Sequence, residues 1–143
     1  MLKFDKEKLN KYAEKADIKF AVLFGSQAGG KLADESDFDI AVSLKDRKSI
    51  FDDLGKYSEM LENFAKIFSV SEDKIDLTDL NNANILLRYE ITRNGILLFG
   101  DSQDYEEFKA FSFRDYMDAK SLFELEDKII KKRLSFIKES LAV

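Results

Sequence analysis

The chain has 143 residues, of which 28 are acidic and 23 are basic, so its formal net charge is −5. This length fits a single domain with its own hydrophobic core, and the acidic balance argues against a broad basic surface for nucleic acid or an anionic membrane. The absence of Cys and His excludes disulfides, thiolate or imidazole zinc sites and catalysis by either side chain.

The first half of the chain predicts two helices and two strands. Apolar residues at helical spacing indicate the helices, and short runs of β-forming residues indicate the strands. The first strand is stopped by Gly25, and a polar, Gly-rich segment separates it from the second. In chain order we expect a helix at 5–16, a strand at 18–24, a strand beginning at 37 and a helix at 48–70 capped near Ser49.

The second half predicts two further strands and a long helical end. We expect a strand at 74–80, a helix from Asn81 or Asn82 to about Asn94, and a strand at 96–99. Arg88 and Glu90 are interpreted as solvated residues of that helix. Beyond position 100 the pattern is helical almost to the end, as one broken helix or two.

These elements predict an α/β (α+β) fold. Its centre would be a mixed sheet of about four strands with acidic residues on one face, helices covering the other face, and a C-terminal helical extension. We expect residues 1–100 to form the main domain and residues 101–143 to be an extension of the same domain.

One glycine–serine pair and one aspartate pair carry the candidate chemistry. Asp37 and Asp39 are two residues apart on a predicted strand, so their side chains point to the same face. Paired carboxylates repel each other, and a divalent cation such as Mg²⁺ relieves that repulsion. Gly25 permits a close turn after the first strand, where the backbone amides and the Ser26 hydroxyl are suited to hold a phosphate.

A third carboxylate is required if one ion activates an attacking hydroxyl while a second stabilises the leaving pyrophosphate. Asp76 is the natural candidate because it lies on the third predicted strand and faces away from the core. Asp73 and Asp79 remain competitors, since a slip of one residue in register exchanges the two faces of a strand. We therefore expect Asp37, Asp39 and Asp76 to be catalytic residues and ligands of two Mg²⁺ ions.

The segment FGSQAGGKLADESDFDIAV at 24–42 resembles the nucleotidyltransferases related to DNA polymerase β. Their pattern is a GS pair, ten intervening residues, a DxD pair and a third Asp on a later strand, and the segment at 75–99 also resembles them. The likeness covers roughly positions 1–100 and is strongest to the minimal (MNT) branch. It implies that Gly25 and Ser26 bind the triphosphate, that Asp37 and Asp39 bind both ions, and that Asp76 binds the ion that activates the nucleophile.

The chain departs from the family pattern after the GS pair. Many minimal members carry Arg there, whereas this chain has Gln27 and Gly29. Lys31 is then the nearest cation, and we include it among the expected nucleotide-binding residues.

Within the minimal branch the chain most resembles the MntA-type antitoxins. This likeness implies transfer of AMP from ATP to a tyrosine of a cognate HEPN-domain (HepT-like) ribonuclease toxin. We expect ATP as substrate, two Mg²⁺ as cofactors, and no direct contact with nucleic acid or membrane. A cytoplasmic location is expected because the N-terminus lacks the apolar stretch of a signal peptide. A homo- or hetero-oligomer is compatible with the sequence.

Three other functions remain open. A small-molecule, aminoglycoside-like nucleotidyltransferase shares the motif, although such chains usually carry an added substrate domain. A polymerase or tRNA-tailing enzyme should present a basic face, which the acidic balance disfavours. A catalytically weak antitoxin that acts by binding alone is the third, and the intact set of three Asp argues against it.

Overall fold

A four-stranded mixed sheet forms the centre of the protein, and the computed structural model describes residues 3–28 and 37–142. The strand order is β3-β2-β1-β4. β1 is antiparallel to both β2 and β4, whereas β2 and β3 are parallel. The strands are β1 (Ile18–Phe24), β2 (Phe38–Leu44), β3 (Ile75–Asp79) and β4 (Ile96–Phe99). The mixed sheet expected from the sequence is confirmed.

In the described ranges four α-helices flank the sheet, and two of them begin later than the sequence predicts. The second helix begins at Leu54 because the Asp53 side chain accepts hydrogen bonds from two backbone amides of the first turn. The third begins after Asn84, whose side chain accepts a hydrogen bond of 2.8 Å from the Leu87 amide, whereas the Asn81 side chain accepts one of 2.7 Å from Ser43 Oγ. The helices are α1 (Lys6–Lys15), α2 (Leu54–Phe68), α3 (Ile85–Asn94) and α4 (Ser102–Leu141).

Helices pack on both faces of the sheet, so the expectation that they cover one face only is wrong. The first face bears Leu23 and Ile40 and packs against α1 and α2. The opposite face bears Val22 and Ala41 and packs against α3 and the beginning of α4. Burial of consecutive residues in β1 and β2 follows from this arrangement, since both sides of these strands are covered.

The C-terminal helix α4 is continuous over 40 residues, so the expected break is absent. The sequence has no Gly or Pro between Ser102 and Leu141 that would end a helix. A helix of this length extends about 60 Å. Its first part packs against α3, and its residues from Met117 onward are almost all exposed. No helix in the described part of the chain has the length and apolar character needed to cross a bilayer.

An ion pair joins α3 to α4. The Arg88 guanidinium pairs with the Asp115 carboxylate and lies over the Phe111 ring, 5.2 Å from its centroid. The Arg88 side chain is only 14% exposed, so its interpretation as a solvated residue is wrong. A charge that is withdrawn from water in this way needs its partner, which ties the two helices together.

We expect this ion pair to contribute measurably to stability. Arg88→Met and Asp115→Ala, alone and together, should give a coupling of about 1–2 kcal/mol in the free energy of unfolding, because the Arg88 side chain is largely withdrawn from water. The matched control is the exposed Lys66–Glu62 pair of α2, at 3.2 Å, whose coupling should stay below about 0.5 kcal/mol. Urea denaturation measures both cycles. Equal couplings for the two pairs would contradict the assignment.

Candidate active site

Gly25 lies against the Asp39 carboxylate where β1 ends and β2 begins. Phe24 and Asp39 are paired across these antiparallel strands, which brings the turn after β1 beside Asp39. A Cβ atom at Gly25 would collide with Asp39 Oδ2 and would lie 3.2 Å from Asp39 Cγ. Gly25 also has a φ of +75°, a conformation that residues with a Cβ rarely adopt. Only glycine therefore fits this position without displacing Asp39.

The parallel pairing of β2 with β3 brings two of the predicted acidic residues together. Asp39 and Asp76 are direct neighbours in this register, and both carboxyl groups lie on the sheet face opposite Ile40 and Leu77. The two carboxyl groups are within hydrogen-bonding reach of each other. Asp37 immediately precedes β2, is exposed, and is close enough for its charge to act on Asp39.

This acidic cluster, which comprises Asp37, Asp39 and Asp76, has an electrostatic consequence. Burial of the Asp39 carboxyl raises its pKa, and the neighbouring charges of Asp76 and Asp37 raise it further. Each cause disfavours a negative charge on Asp39. The fold therefore holds at least one carboxylate in a position where a cation would stabilise its ionised form.

The donor chemistry of the acidic cluster fits a divalent cation that is completed by substrate. Among residues 3–28 and 37–142, no three acidic side chains converge as the ligands of a preformed metal site do. Mg²⁺ usually takes only one or two carboxylates and fills its other positions with water and phosphate oxygens. Asp39 with Asp76 and Asp37 can supply that number, so the residues present fit such an ion.

The structure also distinguishes Asp76 from Asp73 and Asp79, the two alternatives for the third carboxylate of the site. Asp79 is 7% exposed and accepts a hydrogen bond of 2.6 Å from Asn82 Nδ2. It pairs with Val42, three positions along the ladder from the Asp39–Asp76 pair. Asp73 lies outside β3 and accepts a hydrogen bond from Ser71 Oγ, which lowers its pKa. Only Asp76 of the three joins Asp39.

The predicted phosphate-binding turn is a short 3-10 helix, Gly25–Gln27, directly after β1. Ser26 lies in its middle, so the structure places the GS pair beside the acidic cluster. Gln27 stands where many family members carry Arg, and its side chain is only 7% exposed. This residue is therefore largely withdrawn from solvent. Lys31 lies outside the described residues.

The contact between Gly25 and Asp39 was missed by sequence reasoning, which gave the glycine a role in phosphate approach alone. The sequence did contain a signal for this contact: the first strand ends at a glycine, and a single connection leads from it to the second strand. Such strands pair antiparallel when they are neighbours in the sheet, so the residue after the first strand meets the beginning of the second. The order of the strands, which the sequence does not state, was needed to use it.

Residues 7–104 match the family model described as Polymerase beta, Nucleotidyltransferase, and the chain therefore belongs to this family. The resemblance stated from the motif is confirmed. Two relatives are both protein adenylyltransferases named MntA. The protein from Aphanizomenon flos-aquae is 31% identical over 108 residues, covering 68% of this chain and 65% of that protein. The protein from Shewanella oneidensis is 30% identical over 112 residues, covering 77% and 76%.

Solved structures share the fold. A toxin–antitoxin crystal structure with AMP-PNP aligns with a TM-score of 0.67 and 24% identity, covering 88% of this chain and 98% of the other. A structure of a tri-AMPylated Shewanella oneidensis HEPN toxin in complex with an MNT antitoxin aligns with a TM-score of 0.61 and 22% identity, covering 88% of this chain and 96% of the other. At these identities the likeness shows the nucleotidyltransferase fold with its long C-terminal helix.

Gly25→Ala should disrupt the site, because the added methyl group meets Asp39 and the positive φ is strained. We expect a loss of about 1–3 kcal/mol in the free energy of unfolding and weaker nucleotide binding. Gly55→Ala in the first turn of α2 is the matched control, which should change stability by less than about 1 kcal/mol. Chemical denaturation and nucleotide titration measure the two effects. Unchanged stability and binding in Gly25→Ala would contradict the described packing.

Asp39→Asn should stabilise the metal-free protein at neutral pH. The folded chain holds the Asp39 proton more tightly than the unfolded chain does. The wild type therefore loses stability as the pH rises from about 4 through the raised pKa of Asp39, and the Asn variant lacks this loss. Thermal unfolding of both proteins between pH 4 and 7 should show a growing advantage for the variant.

The control for this prediction is Asp73→Asn, which removes a carboxyl whose pKa is lowered by its Ser71 hydrogen bond. This variant should gain no stability as the pH rises. A wild type that is as stable as Asp39→Asn at pH 7 would show that neither burial nor neighbouring charge disfavours the ionised Asp39 carboxyl.

Proposed function

We propose that this protein is a metal-dependent protein adenylyltransferase, which transfers AMP from ATP to a tyrosine of a cognate HEPN-type ribonuclease toxin and so acts as its antitoxin. The observation that carries the proposal is that Asp39, Asp76 and the turn at Gly25 lie together at one end of three neighbouring strands. Family membership supports the nucleotidyl chemistry, and the two MntA relatives support a protein acceptor. ATP is available in the cytoplasm, where we propose that the protein works.

Each element of the site has a role in this proposal. The backbone amides of the turn at Gly25 and Ser26 hold the triphosphate, and Lys31 adds positive charge beside it. Asp37 and Asp39 would hold two Mg²⁺ ions, and Asp76 would help to hold the ion that activates the attacking hydroxyl. When bound, these ions would neutralise phosphate charge and lower the pKa of the attacking hydroxyl.

The reaction is an in-line substitution at the α-phosphorus. The acceptor oxygen forms a bond to this phosphorus while the bond between the α-phosphorus and its bridging oxygen breaks. Pyrophosphate leaves with the electron pair, and the hydroxyl proton is released to water. The chain contributes chiefly by positioning and electrostatics, since its 143 residues include no His to act as a general base.

The choice of a protein acceptor rests on the relatives and on the charge of the chain. The Shewanella structure contains an AMPylated HEPN toxin together with its MNT antitoxin. The net charge of −5 disfavours a nucleic-acid acceptor, because binding to the phosphate backbone depends on basic side chains. A small-molecule acceptor would undergo the same substitution and is distinguished by the identity of the labelled product.

The test is transfer of label from ATP to a cognate HEPN-type ribonuclease toxin. With Mg²⁺ and ATP labelled at the α-phosphate, we expect the toxin to acquire label on tyrosine and to lose ribonuclease activity. ATP labelled at the γ-phosphate should give none. Asp39→Ala should reduce the yield roughly 100-fold or more, a typical loss when one electrostatic group of an active site is removed.

Asp73→Ala is the matched control, since its carboxylate is exposed and lies outside β3. It should leave the rate unchanged. Label from the γ-phosphate alone would indicate phosphate transfer and contradict the proposal. Neutralisation of the toxin without any labelled product would support an antitoxin that acts by binding alone.

A further inference from the structure

A basic cavity lies between the sheet and α4, at the end of the strands where β1 begins and β2 ends. Its volume is about 580 Å³, which is within the range of about 300–1,000 Å³ typical of small-ligand sites. Three cations line it, Lys19, Lys45 and Arg47, and none of the described residues around it is acidic. In a chain with a net charge of −5, this local excess of positive charge indicates an anionic ligand.

The three cations of the basic cavity are not used in ion pairs by the fold. Within the described part of the chain, no carboxylate forms an ion pair with any of them. Asp46, which lies between Lys45 and Arg47 in the sequence, pairs instead with Lys48 at 3.9 Å and lines a separate cavity. The positive charge of all three side chains is therefore available to a ligand.

Aromatic rings also line the basic cavity. Phe20 is buried, Phe108 is half-buried, and Phe111 on α4 is 49% exposed. The rings of Phe20 and Phe108 pack together with 5.7 Å between their centroids, and the Lys19 ammonium group lies 5.3 Å from the Phe20 centroid. A ligand in this cavity meets aromatic surface and positive charge together. Proteins bind nucleotides by this combination, because bases stack on rings while Lys and Arg neutralise phosphate.

We propose that the basic cavity is a second nucleotide-binding site, which takes one nucleoside phosphate without a metal ion. Lys45 and Arg47 hold the phosphate, and the exposed ring of Phe111 stacks against the base. Because none of the described residues around the cavity is acidic, a divalent cation finds no carboxylate there, and the side-chain cations meet the phosphate charge directly. An acidic peptide would use the same cations but would leave the aromatic surface without a planar partner.

A single nucleotide suits the basic cavity better than a strand of nucleic acid does. A strand requires a basic groove along its backbone and rings for several successive bases. Here the three cations converge on one cavity, and Phe111 alone among the described rings that line it is substantially exposed. The chain as a whole is acidic, which opposes the binding of further phosphates beyond the cavity.

The basic cavity is separate from the acidic cluster. Ser43, which lines the cavity, lies on the same sheet face as Asp39 but four residues further along β2, or about 13 Å at 3.3 Å per residue. Ala41 lies between them on this face and is completely buried in a cluster with Ile91 of α3. This packed contact separates the two sites, so a nucleotide in the cavity does not occupy the acidic cluster.

Calorimetric titration of the full chain with AMP in EDTA tests the proposal. We expect one site per chain with a dissociation constant below about 1 mM. The double variant Lys45→Gln, Arg47→Gln should raise this constant about 10-fold or more, because the phosphate loses its charged donors. The matched control is Lys48→Gln, Lys56→Gln, which removes the same charge from a cavity on the α1 and α2 side of the sheet and should bind as the wild type does. Circular dichroism checks that both variants fold.

Removal of the exposed ring tests the contact with the base. Phe111→Leu should raise the dissociation constant for AMP about 5-fold or more and leave that for ribose 5-phosphate unchanged, because only AMP has a base to stack. Phe113→Leu is the control, since Phe113 is 51% exposed but packs near Tyr89, outside the cavity. A wild type that does not bind AMP in EDTA, or equal affinities for AMP and ribose 5-phosphate, would overturn the proposal. Equal binding by the two double variants, or much tighter binding of a single-stranded oligonucleotide than of AMP, would also overturn it.

Discussion

The repulsion within the acidic cluster is the constraint on which the candidate site depends. Two features of the fold hold Asp39 in place against it. The parallel pairing of β2 with β3 sets Asp76 beside Asp39, and the bare backbone of Gly25 packs on the Asp39 carboxylate. Burial of the Asp39 carboxyl raises its pKa, and the neighbouring charges of Asp76 and Asp37 raise it further. A folded state that confines negative charge in this way is suited to bind a cation together with a polyphosphate. The carboxylates attract the cation, and the turn binds the phosphate groups.

Much of the architecture could be predicted from sequence patterns. The limits of β1 and β4 were predicted correctly because Gly25 and Gly95 interrupt the runs of β-forming residues beside them. The helix starts were less accurate. Several polar residues before α2 and α3 can act as caps, and tertiary hydrogen bonds decide among them. Asn81, for example, is engaged by Ser43 from the neighbouring strand.

The features that the sequence concealed are those that depend on strand order and helix packing. The spacing predicted the DxD pair, and the alternation of the third strand favoured Asp76 over Asp79, but only the parallel register of β2 and β3 shows that Asp76 lies beside Asp39. Arg88 resembled a solvated helix residue until α4 was placed beside α3. The helices on the acidic face were unexpected for the same reason. Local periodicity reports which side of an element is apolar, and it does not report which element covers that side.

Anomalous scattering from Mn²⁺ in crystals grown with a non-hydrolysable ATP analogue tests the central claim most directly. Mn²⁺ takes the same oxygen ligands as Mg²⁺ and is visible by its own signal. We expect a peak bound by Asp37 and Asp39, with the triphosphate of the analogue over the turn at Gly25. A nucleotide bound elsewhere, or a metal peak away from these carboxylates, would contradict it.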